Sequence, residues 1–192
     1  MIETAPTTSR RTPNQELRRN EIIAAAASVV SVEGLAACTV RRIAKVSPLT
    51  KSTIHYYFDD ADELIDLVVV QVIHLFAELC KTILEDADRD QAIVILTRIF
   101  IGQEWGMYAN DSLLWHEFAV HSLKRDRHQG LAQTFALVGD VFEEAVGDRG
   151  RALHNYLLGL NFRIRATAPD FAEIAADVSA LTGAEVTAAD LT

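Results

Sequence analysis

A basic window without acidic residues interrupts a chain whose formal net charge at pH 7 is −9. The window runs from Gly34 to Phe58, contains no Asp or Glu, and ends in Tyr-Tyr-Phe. Its basic residues are Arg41, Arg42, Lys45 and Lys51. Cationic side chains that neutralise phosphates release condensed counterions. These residue types therefore favour binding of DNA by this window.

Charge is divided unevenly along the chain. Residues 1–51 hold eight Lys and Arg against four Glu, a net charge of +4. Residues 52–192 hold ten basic and 23 acidic residues, a net charge of −13. The N-terminal part is therefore suited to a polyanion, and the remainder would be repelled by one.

The cysteines and the apolar segments predict the compartment. Cys38 and Cys80 are far apart with no CxxC pairing, which indicates a reducing compartment and neither a disulfide nor a zinc framework. The N-terminus lacks a hydrophobic signal core, and Gln71 and His74 interrupt the longest apolar stretch before it reaches the ~18 to 20 residues of a membrane span. We expect a cytoplasmic protein that binds no membrane.

A second group of residues suited to recognition lies between residues 100 and 121, where aromatic side chains alternate with a few polar ones. The candidates for contact with a ligand are Phe100, Glu104, Trp105, Tyr108, Trp115, His116, Phe118 and His121. Apolar walls with few polar groups suit a small, mostly apolar molecule. An aromatic stripe at helical spacing is also typical of a protein core.

The sequence does not predict catalysis or a metal site. HEFAVH places His116 and His121 five positions apart, about 140° around a helix, whereas zinc-binding pairs favour the i, i+4 spacing. No Gly-rich phosphate loop, GxSxG elbow or paired Asp motif occurs. We therefore expect no enzyme activity, no cofactor and no metal.

The first residues predict a flexible segment followed by a helix. Residues 1–14 contain two prolines and lack apolar periodicity, so we expect a flexible basic arm. From Gln15 onward, apolar residues recur with a period of about 3.6. The first helix should run from Leu17 to Glu33 and stop at Gly34.

Two short helices joined by a tight turn should follow. Thr39 and Thr50 are suited to cap them, and Pro48 separates them because proline disfavours helical geometry in the residue before it. The second of these helices would expose polar side chains in its first two turns, as reading of a major groove requires. Those side chains are Lys51, Ser52, Thr53, His55 and Tyr56.

The rest of the chain predicts stacked amphipathic helices, and with them an all-α fold of nine to ten helices. The expected helices cover residues 62–85, a segment that includes 92–99, a segment that begins after Asn110-Asp111, residues 130–146, residues 151–167, and a short terminal segment that ends near Gly183.

Three short motifs occur in two runs of the sequence. A Glu-Gly turn and Thr-Val-x-x-Ile-Ala lie in EIIAAAASVVSVEGLAACTVRRIAKV, and Thr-Ile-x-x-Tyr-Phe lies in TKSTIHYYFDDADELIDLVV. With these motifs, residues 18–66 resemble the DNA-binding domain of the tetracycline-repressor (TetR) family of regulators. The resemblance implies a helix-turn-helix domain over residues 15–61 and a helical domain for effector binding and dimerisation over residues 62–192. It also implies an effector cavity within residues 100–121.

The resemblance assigns roles to residues of the window. Arg41 becomes a base or phosphate contact, and Tyr57 lies against the phosphate backbone. Lys51, Ser52 and Thr53 become contacts of the recognition helix. His55 and Tyr56, which share its outer surface, should influence base preference.

Three positions depart from the family pattern. Pro48 occupies the turn where the family has Gly, and it cannot adopt the positive φ that Gly supplies, so this turn must be built differently. His55 replaces a Tyr, and Ala61 replaces a Lys that typically binds phosphate. Asp59, Asp60 and Asp62 surround Ala61 and would oppose a phosphate, although Asp60 and Glu63 also have the spacing of a helix cap.

Two apolar stripes near the C-terminus are expected to form a dimer interface. In the family, the last two long helices build a two-fold four-helix interface, and the alternative for such stripes is the core of a single chain. The residues are Leu131, Phe135, Val138, Phe142, Leu153, Leu157, Leu160 and Ile164. A homodimer would place two reading heads about 34 Å apart on a pseudo-palindromic site.

The sequence thus predicts a ligand-responsive, DNA-binding transcriptional regulator. Its partners would be double-stranded DNA, a small and mostly apolar effector, and a second copy of the chain. The main expectation is a dimeric repressor that the effector releases from its operator. The alternative is a dimer of the same fold that binds a small molecule or a protein and has weakened or lost operator binding, as Pro48, Ala61 and the three Asp residues suggest.

Overall fold

The structure is a computed structural model that describes residues 12–102 and 108–192, with the backbone alone described for residues 108–113. The described residues form nine α-helices and no strand, which confirms the all-α prediction. The helices are α1 (Pro13–Glu33), α2 (Val40–Val46), α3 (Lys51–Tyr57), α4 (Ala61–Leu84), α5 (Arg89–Ile101), α6 (Tyr108–Lys124), α7 (His128–Val146), α8 (Gly150–Arg163) and α9 (Phe171–Thr182). Short 3-10 segments lie at Leu35–Ala37 and Ala188–Leu191.

The contacts within the chain divide it into two compact units, Met1–Val68 and Val69–Thr192. Helix α4 contributes its first eight residues to the N-terminal unit and the others to the C-terminal unit. The sequence places a domain boundary before residue 62, and that boundary remains a prediction.

Helix α1 begins earlier than the sequence predicts. The Thr12 side chain accepts a hydrogen bond from the backbone N–H of Gln15, and the Gln15 side chain accepts one from the backbone N–H of Thr12 at 2.8 Å. This reciprocal cap, with Pro13 at the first helical position, fixes the start of the helix. The arm predicted over residues 1–14 therefore overlaps α1, and its first 11 residues lie outside the described part.

In the N-terminal unit, helices α1, α2 and α3 close around a small apolar core. Ile22, Ile43 and Ile54 are inaccessible to solvent, and Phe58 is 2% exposed. The guanidinium of Arg19 lies over the Phe58 ring at 5.2 Å from its centroid, a cation–π contact that covers the end of this core. Because these side chains point inward at helical spacing, the opposite faces of α2 and α3 are directed to solvent.

The C-terminal unit is built around the packing of α7 and α8. A methyl group placed on Gly150, at the start of α8, would lie 2.1 Å from the backbone carbonyl oxygen of Phe142. Only glycine permits this approach of the two backbones. Phe142, Leu153 and Leu157 are fully buried in the resulting core, together with Ile93 of α5.

Two other predicted boundaries are wrong. Helix α6 begins at Tyr108, so Asn110-Asp111 lies inside the helix rather than at its cap. Helix α8 ends at Arg163 rather than continuing to residue 167, where the chain turns before Pro169. Asp170 then caps α9 by accepting hydrogen bonds from the backbone N–H groups of Ala172 and Glu173.

Helix α4 is long and apolar enough to cross a membrane by length and composition. Within the described residues it is the one helix that passes this test, which buried helices of soluble proteins also pass. About 22% of its most apolar window is buried in the chain. Leu75 is 62% exposed and Leu79 is 40% exposed, and both border the cavity described below.

Arg89, the first residue of α5, connects the ends of two other helices. Its Nε donates to the backbone carbonyl oxygen of Val146 at 3.2 Å, and its Nη2 donates to that of Thr182 at 2.6 Å. These are terminal carbonyls of α7 and α9, which have no partner inside their own helices and carry the negative end of the helix dipole. One cation therefore caps two helices.

Replacing this cation should destabilise the C-terminal unit. We expect Arg89→Ala to lower the free energy of unfolding by about 2 kcal/mol, because two carbonyls lose a charged donor. Urea denaturation followed by circular dichroism measures the change. Arg149→Ala, which removes an exposed cation, should stay within about 0.5 kcal/mol of the original chain. An equal effect of the two changes would contradict the cap.

Candidate functional site

The outer surface of α2 and α3 carries most of the residues predicted to contact DNA. Arg41, Lys51, Ser52 and His55 are exposed, and Tyr56 is 72% exposed. Thr53 and Tyr57 are half-buried, and the rings of Tyr56 and Tyr57 meet edge to face at 5.0 Å. The helix pair thus presents cations, an imidazole and phenols on one structural unit.

The turn between α2 and α3 is closed by a serine instead of a glycine. The Ser47 hydroxyl donates to the backbone carbonyl oxygen of Ile43 at 2.8 Å and accepts from the backbone N–H of Leu49 at 3.4 Å. No described residue from 47 to 50 has a positive φ. The turn therefore contains no positive φ and accepts Pro48, so it differs from a glycine turn, as the sequence predicts, and buried Leu49 anchors it.

Only some of the basic residues are available to a polyanion. Arg42 forms a two-point ion pair with Glu33 at the end of α1, with Nε 2.8 Å from both carboxylate oxygens and Nη2 2.6 Å from one. The hydrogen bond from Arg42 lowers the pKa of Glu33, and Glu33 in turn raises the pKa of Arg42. Arg41, Lys45 and Lys51 form no ion pair within the described part of the chain.

Three hydroxyl groups meet at the start of α3. The Thr50 hydroxyl lies 2.9 Å from that of Ser52 and 2.8 Å from that of Thr53, and it also accepts from the backbone N–H of Thr53 at 3.1 Å. The predicted cap at Thr50 is confirmed. Ser52 and Thr53 therefore have one hydrogen-bonding direction already occupied before any base approaches.

Acidic residues border this surface at the start of α4. The Asp60 carboxylate accepts from the backbone N–H of Glu63 at 2.7 Å, and Glu63 accepts from the backbone N–H of Asp59 at 3.0 Å. The predicted capping role of Asp60 and Glu63 is confirmed, although Glu63 reaches Asp59 rather than Asp60 itself. The cap explains these two carboxylates, and Ala61 contributes no cation among them.

A cavity of about 230 Å³ lies in the C-terminal unit between α4, α5, α6, α7 and α8. Its described wall is mostly aliphatic and aromatic. The apolar lining residues are Val69, Val72, Ile73, Leu75, Phe76, Leu79, Phe100, Leu114, Val138 and Leu158. The lining residues with polar atoms are Trp115, His116, His154 and Asn161.

The polar atoms of this wall are held in place by neighbours. The indole N–H of Trp115 donates to the Thr134 hydroxyl at 3.3 Å. The Asn161 Nδ2 donates to the backbone carbonyl oxygen of Phe100 at 2.6 Å. These bonds fix the side chains before a ligand enters, as is typical of a preformed site.

His154 is a buried imidazole among aromatic rings. Its side chain is 4% exposed, stacks on Phe142 at 5.0 Å, and meets Phe100 edge to face at 5.9 Å. Burial lowers the pKa of His154 to about 4, and the nearby Arg151 cation adds to this effect. The ring is therefore neutral near pH 7 and offers one donor and one acceptor.

Comparison with known proteins identifies the N-terminal unit. Residues 22–68 match the model of the bacterial regulatory proteins of the tetR family. These residues are similar to the DNA-binding domain of that family. The match covers α2 and α3 completely, together with the cap and first part of α4. A search of curated protein sequences finds no significant match to the whole chain.

Solved structures share the fold of this chain. The Streptomyces coelicolor A3(2) protein SCO7518 is 20% identical, with 86% of this chain and 98% of that chain covered and a TM-score of 0.70. The multidrug binding protein EbrR, complexed with ethidium, is 23% identical over 90% and 99% of the two chains, with a TM-score of 0.70. A Rhodococcus sp. protein assigned to the TetR family is 18% identical over 88% and 96%, with a TM-score of 0.63. At these identities the likeness shows the fold alone.

The cavity includes three of the residues predicted to bind a ligand, namely Phe100, Trp115 and His116. The predictions for Phe118 and His121 are not supported, because Phe118 is fully buried and neither is among the cavity-lining residues. Glu104 and Trp105 lie outside the described residues, as does the side chain of Tyr108.

Helices α4 and α8 also line the cavity, although the sequence pattern indicates only the aromatic segment around α6, which forms one wall. A usable signal was present in α8, where His154 and Asn161 interrupt an apolar stripe at a spacing of seven residues and therefore share a face. Polar residues on a buried helical face require hydrogen-bond partners, and the wall of a cavity is one place where such residues occur.

Most residues predicted for the dimer interface belong instead to the core of the single chain. Leu131, Val138, Phe142, Leu153, Leu157 and Leu160 are all buried, at 8% exposure or less. Such side chains cannot reach a second copy, which corrects this part of the prediction. Phe135 is 37% exposed and Ile164 is half-buried, so these two remain accessible.

The neutral state of His154 should make folding sensitive to acid. Between pH 6.5, the ordinary pKa of imidazole, and about 4, the unfolded chain binds a proton at this position and the folded chain does not. The free energy of unfolding should therefore rise with pH across this window and fall on acidification, by roughly 3 kcal/mol in total. Urea unfolding at several pH values from 4 to 7 measures the slope.

A pair of variants separates His154 from other titrating groups. His154→Phe should remove most of the slope that this residue contributes, because no imidazole remains to be protonated in the unfolded chain. His74→Gln, at an exposed position of α4, is the matched comparison. If both variants kept the original slope, the acid sensitivity would arise elsewhere.

Proposed function

We propose that this chain is a ligand-responsive transcriptional repressor of the cytoplasm, which binds a pseudo-palindromic operator as a homodimer and is released by a small, largely apolar effector. The observation that carries the proposal is the exposed face of α2 and α3. There Arg41, Lys51, His55 and Tyr56 are directed to solvent from two capped helices. Cations at such a face bind phosphates, and side chains in the first turns of the second helix reach base edges.

Exposed aromatic residues of the C-terminal unit support a dimer. The rings of Phe135, Trp115, His116 and Phe162 form a row with centroid spacings of 5.0, 5.4 and 5.4 Å. Phe162 at one end is 66% exposed, and Phe135 at the other is 37% exposed. Exposed aromatic groups of this size are typical of protein–protein interfaces. We place the two-fold contact on these outward faces of α7 and α8.

The cavity supports control by a small molecule. Helix α4 begins four residues after α3 ends, and its later residues Val72, Leu75 and Phe76 line the cavity. A ligand that binds one arrangement of α4 better than another therefore favours that arrangement. Because α4 directly follows α3, the recognition helix, the ligand can affect DNA binding. The bias is limited to the difference in its affinity for the two arrangements, typically about 1 to 3 kcal/mol. EbrR in complex with ethidium is a precedent within this fold.

In-vitro selection of short duplexes with the purified full chain tests DNA binding directly. We expect enrichment of a pseudo-palindrome that is bound by dimers, with an affinity that falls steeply as salt rises. Lys51→Ala combined with Thr53→Ala should abolish the enrichment, since both lie in the first turn of α3. Lys124→Ala, which removes an exposed cation from α6, serves as the matched control. Failure to enrich any sequence at low salt would refute the repressor.

A second candidate function follows from the start of α4. Ala61 occupies a position where a cation would favour phosphate binding. Its neighbours in the sequence are instead the carboxylates of Asp59, Asp60 and Asp62. These charges support a dimer that retains its ligand cavity but has weak operator binding or none. The two candidates differ in their response to an added cation at this position.

Ala61→Lys separates the two candidates. A repressor should bind its selected duplex more tightly, and the plot of log affinity against log salt should become steeper by about one unit, because one further phosphate is neutralised. A protein that does not read DNA should show no change. Ala176→Lys adds the same charge on the exposed face of α9 and should leave both quantities unchanged. Fluorescence anisotropy across a salt series gives both values.

A further inference from the structure

The ion pair between Glu33 and Arg42 joins the end of α1 to the first turn of α2. The Arg42 Nε lies 2.8 Å from both carboxylate oxygens, and its Nη2 lies 2.6 Å from Oε1. The backbone N–H of Arg42 donates to the Thr39 hydroxyl at 3.2 Å. Arg42 is therefore held both at its backbone and at its side chain, and all three residues belong to the N-terminal unit.

This pair occupies one edge of the guanidinium. A guanidinium is planar and has five N–H donors, so a carboxylate at the edge of Nε and Nη2 leaves the edge of Nη1 for a second acceptor. The Arg42 side chain keeps 34% of its surface exposed, and the Glu33 side chain keeps 32%. The carboxylate thus fixes the plane of the guanidinium, and part of the pair remains open to solvent.

The two charges are placed against the preference of both helices. Glu33 is the last residue of α1, where the negative end of the helix dipole disfavours a carboxylate. Arg42 lies in the first turn of α2, where the positive end of the dipole disfavours a cation. The reverse arrangement, with the cation on α1 and the carboxylate on α2, would suit both helices. Residues that break a local rule are expected at functional sites.

A cation on α2 suits a phosphate of DNA. In a helix-turn-helix, the first helix of the pair crosses the DNA backbone while the second lies in the major groove. Exposed Lys45 lies one turn after Arg42 on α2, and its charge also lowers the pKa of Glu33. These two cations and one carboxylate carry a net charge of +1. A phosphate oxygen on this side of α2 would meet the open edge of Arg42 and the ammonium of Lys45.

We propose that Arg42 is a further phosphate contact of α2 and that Glu33 is the positioning residue that orients it. This inference rests on the proposed function, since it adds a contact to the same DNA-binding face. Glu33 binds the edge of Nε and Nη2, and the edge of Nη1 donates to a phosphate oxygen of the duplex. An oriented guanidinium loses less conformational freedom on binding than a mobile one. The carboxylate therefore raises the affinity for DNA, although its own charge is negative.

Fluorescence anisotropy of the full chain across a salt series tests this contact on two duplexes. One is the duplex enriched by in-vitro selection, and the other has equal length and an unrelated sequence. Arg42→Ala should weaken binding of both by about 10-fold, because a phosphate contact carries no sequence information. The plot of log affinity against log salt should become shallower by about one unit for each bound copy. Arg42→Lys keeps the charge but lacks a second edge, and it should weaken binding by about 5-fold.

A variant of Glu33 tests the orientation of the guanidinium. Glu33→Ala removes a negative charge, yet it should weaken binding of both duplexes by about 3-fold, because Arg42 loses its oriented partner. Glu21→Ala removes the same charge from the same helix, where Glu21 pairs with Arg18 at 2.7 Å, and it should not weaken binding. Tighter binding of Glu33→Ala than of the original chain would show that Glu33 withholds Arg42 from DNA, which would overturn the inference.

An exchange of the two charges separates a DNA contact from a structural link. Glu33→Arg combined with Arg42→Glu keeps an ion pair and suits both helix dipoles, so the fold should persist. It also places a carboxylate where a phosphate would bind, and we expect affinity to fall at least as far as in Arg42→Ala. Recovery of the original affinity would show that the pair only links α1 to α2. Circular dichroism verifies the fold of each variant, and Arg42→Lys with the exchange remains a test if Arg42→Ala does not fold.

The unaltered chain separates this inference from the proposed function. Binding of the unrelated duplex without enrichment of any sequence would refute the repressor, and the variants of Arg42 and Glu33 would still test the contact. Enrichment of a pseudo-palindrome whose affinity and salt slope are unchanged in Arg42→Ala would support the repressor and refute the contact. No binding of either duplex would refute both.

Discussion

The close packing of α7 on α8 is the constraint on which the C-terminal unit depends. Gly150 lets the first turn of α8 touch the backbone of α7, and this contact sets the depth at which the following residues enter the core. His154, Leu157 and Asn161 then succeed one another along the inner face. A larger residue at position 150 would separate the two backbones and weaken the stacking of His154 of α8 on Phe142 of α7. The position of one cavity-lining side chain thus depends on this backbone contact.

The N-terminal unit could be predicted from local sequence because its signals are local. Thr39 and Thr50 cap the helices that follow them, as their types indicate, and Ile43, Ile54 and Phe58 point inward at the expected spacing. Pro48 predicts an unusual turn, but it does not predict the role of the Ser47 hydroxyl. A side chain that bonds backward and forward along the chain becomes apparent only when the turn geometry is known.

The C-terminal unit was less predictable because its contacts are distant in sequence. Apolar stripes in α7 and α8 identify buried faces correctly, but periodicity cannot state whether such a face meets the same chain or a second copy. Here α5 and α9 cover most of both stripes, so only Phe135 and Ile164 of the predicted dimer residues stay accessible. The cavity likewise joins residues as distant as Val69 and Asn161, and the aromatic segment alone could not reveal that combination.

The double cap made by Arg89 bears on the cooperativity of unfolding. Helix ends normally fray independently, with local opening free energies well below that of the whole domain. When one guanidinium holds the ends of α7 and α9, fraying of either helix leaves the shared cation partly unsatisfied. The terminal segment after α9 packs into the same core through Val186 and Leu191. The last 50 residues should therefore open as a single unit, and hydrogen exchange at the end of α9 should match that at the end of α7.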